Sequence, residues 1–403
     1  MLKNRTIEAV IKKIDKNFKV LLLTGMRQVG KTTVLKSIAD AERTYITLDD
    51  VLSLKMAKED AYLFFQANKL PILIDEIQYA PELFSHIKML VDAGSEFGQV
   101  WMTGSQQFML MKGVSESLAG RLAVLELMGF SIYEQEGKGG LQKAFLPSET
   151  PASLLPRKPL AETYQTIWKG SFPEITLKDN DMWSFFYSSF VKTYIERDVR
   201  QLLNVGSELE FYNFLKAAAS RTGQELNMTD ISNSLDISLN TVKSWLSVLQ
   251  ASGIIYLLHP YYENFTKRIT KRPKLYFTDT GLCAYLTDWT TPETLSSGAM
   301  NGAIFETFVV TEILKSYKHN GLNPNFYYYR DSNKVEIDLL IVENGIFYPV
   351  EIKRTANPDK NMIKNFFVLE ALGKKTGCGS LICLTDKVVP LTHSANAISV
   401  WDI

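Results

Sequence analysis

Cysteine and histidine are scarce in this 403-residue chain, which has three cysteines, Cys283, Cys378 and Cys383, and four histidines. Neither set is spaced as zinc ligands are, and an odd number of cysteines makes no disulfide framework, so a zinc module and a disulfide-stapled mini-domain are both excluded. A reducing cytoplasm is the expected compartment. Net charge is also missing: Lys plus Arg and Asp plus Glu each total 44. Nothing global therefore points to nucleic acid or a membrane, and any basic site must be local. No run approaches the ~18 apolar residues that a bilayer span needs, and the opening MLKNRTIEAVIKK lacks the apolar core of a signal peptide. No membrane association is expected. Internal repeats and low-complexity tracts are absent too. What the chain does have is 46% hydrophobic residues and, at roughly 150 residues per domain, the length of roughly two to three domains.

The apolar runs KVLLLT (19–24), YITL (45–48), PILIDEI (71–77), VWMTGS (100–105) and VLELM (124–128) alternate with helix-compatible segments, which predicts a parallel α/β sheet. Residues 137–159, GKGGLQKAFLPSETPASLLPRKP, are rich in glycine and proline and sustain neither helix nor central strand; a domain boundary is expected there. Residues 160–220 read as helical, their aromatics spaced as core positions. Between 228 and 262 the pattern is helix, turn, helix, strand. From about 300 it is helix, strands at 325–330, 335–343 and 346–353 with an Asn-Gly turn, then helix and a strand at 380–385, a small α/β unit of its own.

The chemistry concentrates early. Gly25-Met26-Arg27-Gln28-Val29-Gly30-Lys31-Thr32, followed by Thr33, matches G-x-x-x-x-G-K-[ST] and stands between a strand and a helix, as a P-loop must. Backbone N–H groups of such a loop wrap phosphates, the helix terminus adds partial positive charge, Lys31 reaches the β and γ phosphates, and Thr32 offers a hydroxyl to Mg²⁺. ATP with Mg²⁺ is the expected ligand. The strand PILIDEI ends in Asp75-Glu76, where one carboxylate can hold the magnesium shell and the next can activate water. A third strand end carries Thr103, Ser105 and Gln106, each a candidate for contact with the γ-phosphate. Arg121 is a candidate arginine finger, the alternative being an ordinary surface arginine.

With GMRQVGKT (25–32), PILIDEIQ (71–78), TGSQ (103–106), SLAGR (117–121), GSFPE (170–174), YIERDV (194–199), KLYFTDTGL (274–282), IFE (304–306), EIDLL and VEIK in this order, the chain resembles prokaryotic AAA-type ATPases. In these a P-loop domain precedes a helical region, a winged helix and a C-terminal domain of unknown function. The resemblance implies a P-loop AAA-type ATPase domain over 1–136, a linker over 137–159, a helical region over 160–225, a winged-helix-like region over 226–290 and a restriction-endonuclease-like α/β domain over 295–403. Gln106 departs from the pattern, since relatives tend to carry a further serine there.

In the helix-turn-helix segment, Val242, Trp245, Leu246 and Leu249 fall on one helical face, leaving Asn240, Thr241, Lys243, Ser244 and Ser247 outward. That face can enter a major groove, although one lysine is little positive charge for the purpose. Lys267, Arg268, Lys271, Arg272 and Lys274 form a basic segment that either contacts DNA or makes a solvated or salt-bridged surface. In the last unit Glu336 and Asp338 share one strand face, as do Glu351 and Lys353 on the next. If that hairpin pairs in register, Asp338, Glu351 and Lys353 converge, with Glu306 arriving from the preceding helix. The pattern resembles the D…E-x-K of restriction-like nucleases, and Asp338 with Glu351 is a candidate second metal site; a relict site reused for binding is the alternative. The leading functional expectation is an ATPase whose nucleotide state controls a C-terminal effector. An ATP-regulated nuclease and a slow-turnover, nucleotide-gated switch that binds DNA or protein are the others. A protein partner and self-association are both compatible with this layout.

Overall fold

The computed structural model describes residues 3–94, 96–105, 118, 120–151, 154–177, 180–200, 208–263 and 271–403. The first module is built on β1 (Val20–Thr24), β2 (Thr44–Thr47), β3 (Ile72–Asp75), β4 (Val100–Gly104) and β5 (Leu122–Glu126), paired in the order β2-β3-β4-β1-β5 with every pairing parallel. Their near-continuous apolar sequence follows from burial on both faces. Leu21, Leu23, Leu73, Trp101 and Leu125 point into a core that continues through the rest of the chain. Val20, Leu22, Ile72, Ile74, Val100 and Met102 point the other way and pack with Phe64, Phe84 and Ile87. These come from α4 (Ala61–Ala67) and α5 (Leu83–Asp92), which follow α1 (Ile7–Asp15), α2 (Lys31–Ile38) and α3 (Val51–Glu59).

The helical region contains α6 (Leu160–Lys169), α7 (Trp183–Tyr194) and α8 (Glu208–Ala219). Its aromatics are core, as their spacing predicts: Trp168 stacks on Trp183 at 4.3 Å, and Phe172 lies between Tyr187 and Phe190. Next come α9 (Met228–Leu235) and α10 (Leu239–Ala251), started by Asn227 and Ser238, whose side chains accept from Asp230 and Thr241 N–H. An antiparallel sheet follows, β6 (Gln224–Glu225), β8 (Lys274–Phe277) and β7 (Ile255–Leu258) in that order. On α10, Val242, Trp245, Leu246 and Leu249 are buried, Asn240, Lys243, Ser244 and Ser247 are exposed, and Thr241 is half-buried.

After α11 (Thr280–Leu286) the last module opens with α12 (Asn301–Lys318). It is buried on nearly every side, and its buried positions include Thr307, Thr311, Glu312, Lys315 and Ser316 as well as apolar residues. A mixed sheet runs β13-β14-β12-β11-β10-β9, from β9 (Phe326–Arg330), β10 (Glu336–Glu343), β11 (Ile346–Ile352), β12 (Gly379–Cys383), β13 (Val389–Thr392) and β14 (Ala395–Ser399). The β13/β14 hairpin goes beyond the strands read from the sequence. The described residues of 137–159 lack helix beyond a short 3-10 turn at Gly139–Leu141, yet they are a packed strap and not a loose spacer. Phe145 N–H donates to Ser316 Oγ at 3.0 Å, Asn396 Nδ2 donates to Ser148 O at 3.1 Å, and Arg157 pairs with Asp402 at 2.9 Å. Among the described residues no helix is long and apolar enough to cross a membrane, and the three cysteines are free thiols.

Candidate active site

Parallel pairing brings the exits of β1, β3 and β4 to one edge of the first sheet, and the candidate residues stand there. Gly25 turns the chain out of β1 at φ 143°, where an added Cβ would lie 2.0 Å from the Leu127 carbonyl oxygen; the loop can pass β5 this closely only as glycine. Gly30, at φ 91°, is the N-cap of α2 and brings no side chain to cap it, so the first N–H groups of α2 remain for an anion. Met26 and Val29 anchor the loop by burial, while Gln28 faces solvent and Arg27 donates to the Tyr79 hydroxyl at 3.4 Å. Lys31 is buried and its ammonium crosses the loop, donating to the Gly25 and Met26 carbonyls at 2.9 and 2.7 Å.

Asp75 lies beside this loop. Its Oδ1 accepts from the Thr32 hydroxyl at 2.7 Å and from the Thr103 hydroxyl, and its Oδ2 accepts from Tyr45 at 3.1 Å. Burial, then the Asp75 charge, push the Tyr45 phenol up to about 12, so it remains a donor at neutral pH. Thr32 and Asp75 thus present adjacent hard oxygens, the donor type that Mg²⁺ takes. Glu76 leaves the strand in the left-handed region at φ 58°. Its N–H donates to Thr103 Oγ1 at 3.2 Å, and its Oε2 accepts from Gln78 Nε2 and, at 3.4 Å, from Ser105 Oγ. Of the three candidates on this strand end, Thr103 therefore braces both acidic residues and Ser105 contacts Glu76; Gln106 lies outside the described residues. Thr33, exposed on α2, lines a neighbouring cavity of about 360 Å³ together with Arg5, Glu8, Phe130, Pro173 and Leu177.

Arg121, the candidate arginine finger, stands apart from this set. It precedes β5 and pairs with Asp92 at 2.6 Å, near Phe18 and Lys19. That is the amino-terminal edge of the parallel sheet, about 16 Å of strand away from the P-loop edge, so it cannot act on the nucleotide of its own chain.

Arg5 and Glu134, which no sequence motif singles out, hold this site to the rest of the molecule. Arg5 donates to the P-loop carbonyl of Val29 at 2.9 Å and to Met128 O at 2.7 Å, and its Nε lies 3.0 Å from Glu134 Oε1. Burial alone would push the Glu134 carboxyl up, but Arg5 and His319 outweigh it and hold that group well below the usual carboxylate range. From α12, Lys315 donates to Phe130 O at 3.1 Å and Glu312 accepts from Ile132 N–H at 2.9 Å. On the other side Asp279 accepts from Ser171 N–H at 2.6 Å and Tyr187 OH at 2.8 Å, and Ser171 O accepts from Phe130 N–H. The segments GSFPE and FTDTGL are therefore joint-forming. Met26 of the P-loop packs against Gly253 and lies 3.9 Å from the Thr278 hydroxyl.

The C-terminal candidates do converge, but on lysines. Lys353 Nζ is 2.6 Å from Glu351 Oε1 and 3.4 Å from Asp338 Oδ2. Glu306 reaches the same place, bound to Lys274 at 3.0 Å. Burial, then the Asp338 charge, push the Glu351 carboxyl up to about 8. Among the described residues no three acidic, histidine or cysteine side chains are grouped to hold a metal, and Lys274 and Lys353 stand among these carboxylates. Lys274, counted from sequence within the basic segment, is buried here and unavailable to nucleic acid; Lys271 and Arg272 are exposed, and Lys267 and Arg268 lie outside the described residues.

Comparison with known proteins fits this division. Residues 17–136 match a family model described as an AAA domain, 161–293 one described as a domain of unknown function (DUF8612), and 301–403 another domain of unknown function (DUF4143). An uncharacterized protein of Mycobacterium tuberculosis is 29% identical over 344 residues, spanning 84% of this chain and 71% of its own. One of Methanocaldococcus jannaschii is 24% identical over 326 residues, spanning 67% of this chain and 63% of its own. A Walker-type ATPase of Pyrococcus abyssi covers 71% of this chain and 96% of its own at 12% identity, with a TM-score of 0.41. The stretch that matches the AAA-domain model is the one that carries the P-loop and the Asp75-Glu76 strand end.

Proposed function

We propose that this chain hydrolyses ATP and that the nucleotide state sets how the middle and C-terminal modules sit against the P-loop. The observation that carries the reading is the contiguous set Lys31, Thr32, Asp75, Thr103 and Glu76 at one sheet edge, with Thr32 and Asp75 2.7 Å apart. Mg²⁺, held by Thr32 and Asp75, supplies charge neutralisation on the phosphates when bound. Lys31 leaves the Gly25 and Met26 carbonyls for the phosphates, Glu76 takes the proton of the attacking water, and Thr103 keeps both carboxylates in register. The cavity lined by Thr33, Phe130 and Pro173 has room for the nucleoside. Met26 against Thr278, and Arg5 on the Val29 carbonyl, support transmission, since a loop that rearranges around phosphate moves groups tied to two other modules. The test is phosphate release by the full chain, alone and with duplex DNA. No release above that of a Lys31→Ala variant under either condition would sink hydrolysis.

Gln78 is expected to position Glu76. Gln78→Ala should lower kcat about tenfold with KM nearly unchanged, because the amide orients the base and does not touch the nucleotide. Gln78→Glu should not restore it, since a second carboxylate cannot donate to the first; a rise in KM alone would show that Gln78 serves binding.

The exposed face of α10 and the exposed Lys271 and Arg272 favour DNA as the effector's target over the alternatives. Reversing Lys271 and Arg272 together with Lys267 and Arg268 should weaken duplex binding equally for unrelated sequences and flatten its salt dependence, leaving ATP binding intact. Unchanged affinity and salt slope in the folded variant would return this segment to an ordinary solvated surface.

A further inference from the structure

The acidic pocket of the C-terminal module is filled by a side chain from a different module. Strand alternation puts Lys274 and Tyr276 of β8 on one face, and both reach the pocket. Lys274 Nζ lies 2.7 Å from Glu336 Oε1, 3.0 Å from Glu306 Oε1 and 3.8 Å from Asp338 Oδ1, while the Tyr276 hydroxyl donates to Glu306 Oε1 at 2.7 Å. The Lys274 side chain is only 5% exposed. A lysine this deep keeps its proton only where carboxylates replace water around it, and here three of them do. Asp338 consequently lies between two ammonium groups, Lys353 of its own module on Oδ2 and Lys274 of the middle region on Oδ1.

The pocket gathers more carboxyl groups than ammonium groups. Glu306, Glu336, Asp338 and Glu351 face Lys274 and Lys353, with Arg330 shared between Glu336 at 3.7 Å and Glu225 at 3.0 Å. One oxygen records the excess directly: Glu351 is 4% exposed, yet its Oε2 is buried with no hydrogen-bond partner, while Oε1 is held by Lys353. An unpartnered buried carboxylate oxygen beside a second carboxylate is what a divalent cation takes up. A divalent ion on Asp338 and Glu351 would meet the Lys274 ammonium within a few ångströms, and like charges at that range in a buried site exclude each other.

We propose that Lys274 is a gate: its ammonium takes the place that a divalent cation needs among Glu306, Glu336, Asp338 and Glu351, so cation binding by the C-terminal module and docking of β8 against it are mutually exclusive. The ligand class is a hard divalent ion, Mg²⁺ or Mn²⁺. This inference does not depend on ATP turnover, because neither β8 nor the pocket belongs to the P-loop module. It also gives the middle region a concrete way of controlling its neighbour. Withdrawal of β8 by one side-chain length uncovers Glu306, Glu336 and Asp338 beside Glu351, and return of the strand expels the ion.

The test is a Mn²⁺ titration of the nucleotide-free full chain, followed by the paramagnetic resonance signal of unbound Mn²⁺. Each protein is referenced to its own Asp338→Asn counterpart, which cancels any ion held by Thr32 and Asp75. Lys274→Met should bind one Mn²⁺ on the order of ten- to a hundredfold more tightly than the unaltered chain, the scale on which a ligand's neighbours move metal affinity, and Asp338→Asn should abolish the gain. Should Lys274→Met fail to fold because its carboxylates are left facing one another, Lys274→Met with Glu306→Gln removes one of those charges and keeps Asp338 and Glu351. Equal Mn²⁺ affinity in the unaltered chain and the Lys274 variants, or no Asp338-dependent Mn²⁺ binding in folded variants, overturns the gate.

Discussion

Glu76→Gln should bind ATP as tightly as the unaltered chain and hydrolyse it about a hundred- to ten-thousandfold more slowly, the usual loss when a general base is removed. Lys31→Ala, in contrast, should lose most of its nucleotide affinity. The difference follows from the geometry. The Lys31 ammonium is poised on the loop that wraps the phosphates, within 2.9 Å of two of its carbonyls, so its loss removes ground-state binding. The Glu76 carboxylate is held away from that loop by Gln78 and Ser105. It affects the step in which water is deprotonated. Calorimetric titration with a non-hydrolysable ATP analogue, set beside single-turnover phosphate release, separates the two. Equal loss of binding in both variants would mean that Glu76 is part of the binding site and that this division of labour is wrong.

Arg5→Met should destabilise the chain by about 3–5 kcal/mol, the range for stripping one partner from a buried ion pair. Glu134 is fully hidden, and among the described residues its partners are Arg5, the His319 ring and the N–H groups of Thr6 and Ser131. A second effect distinguishes this pair from a merely structural one. Arg5 also holds the Val29 carbonyl, so ATP affinity should fall in the same variant while the protein is still folded. Adding Glu134→Gln should recover part of the stability and none of the affinity. Because the folded-state pKa of Glu134 is depressed, its contribution is complete above the ordinary carboxylate value of about 4.3. The contribution is lost as pH falls from there toward the folded-state value. The acid limb of a stability profile should therefore flatten in the double variant. A urea midpoint shift of Arg5→Met equivalent to less than about 1 kcal/mol, the size of a surface pair, would show that the pair is not closed to water.

The legibility of the chain varied with how local each signal was. The P-loop was readable because its chemistry needs consecutive residues: glycines at 25 and 30, then Lys31 and Thr32, before a helix. Asp75 and Glu76 were readable because a strand end is local too. The parallel sheet followed from apolar runs, and the burial of Val242, Trp245, Leu246 and Leu249 on α10 followed from helical spacing. The position of Arg121 was not readable, for the opposite reason. Spelling shows that an arginine precedes a strand, but only the sheet order and strand direction show which edge it occupies.

By itself, then, the sequence determined the nucleotide loop, the acidic pair, the helical core of the middle region and the strand faces bearing Asp338, Glu351 and Lys353. Each depends on residues within one element or one hairpin, where backbone period fixes direction. Tertiary structure alone decided that Arg5 and Glu134 bind the P-loop to α12 across a separation of more than a hundred residues. It alone decided that Gln78 and Ser105 hold Glu76, and that Lys274 leaves a basic surface segment to enter a carboxylate pocket. These are pairings of charges and hydrogen-bonding groups brought out of water together. Burial makes an unmatched partner costly, so packing selects the partner by proximity in space, and no spacing along the chain records that choice.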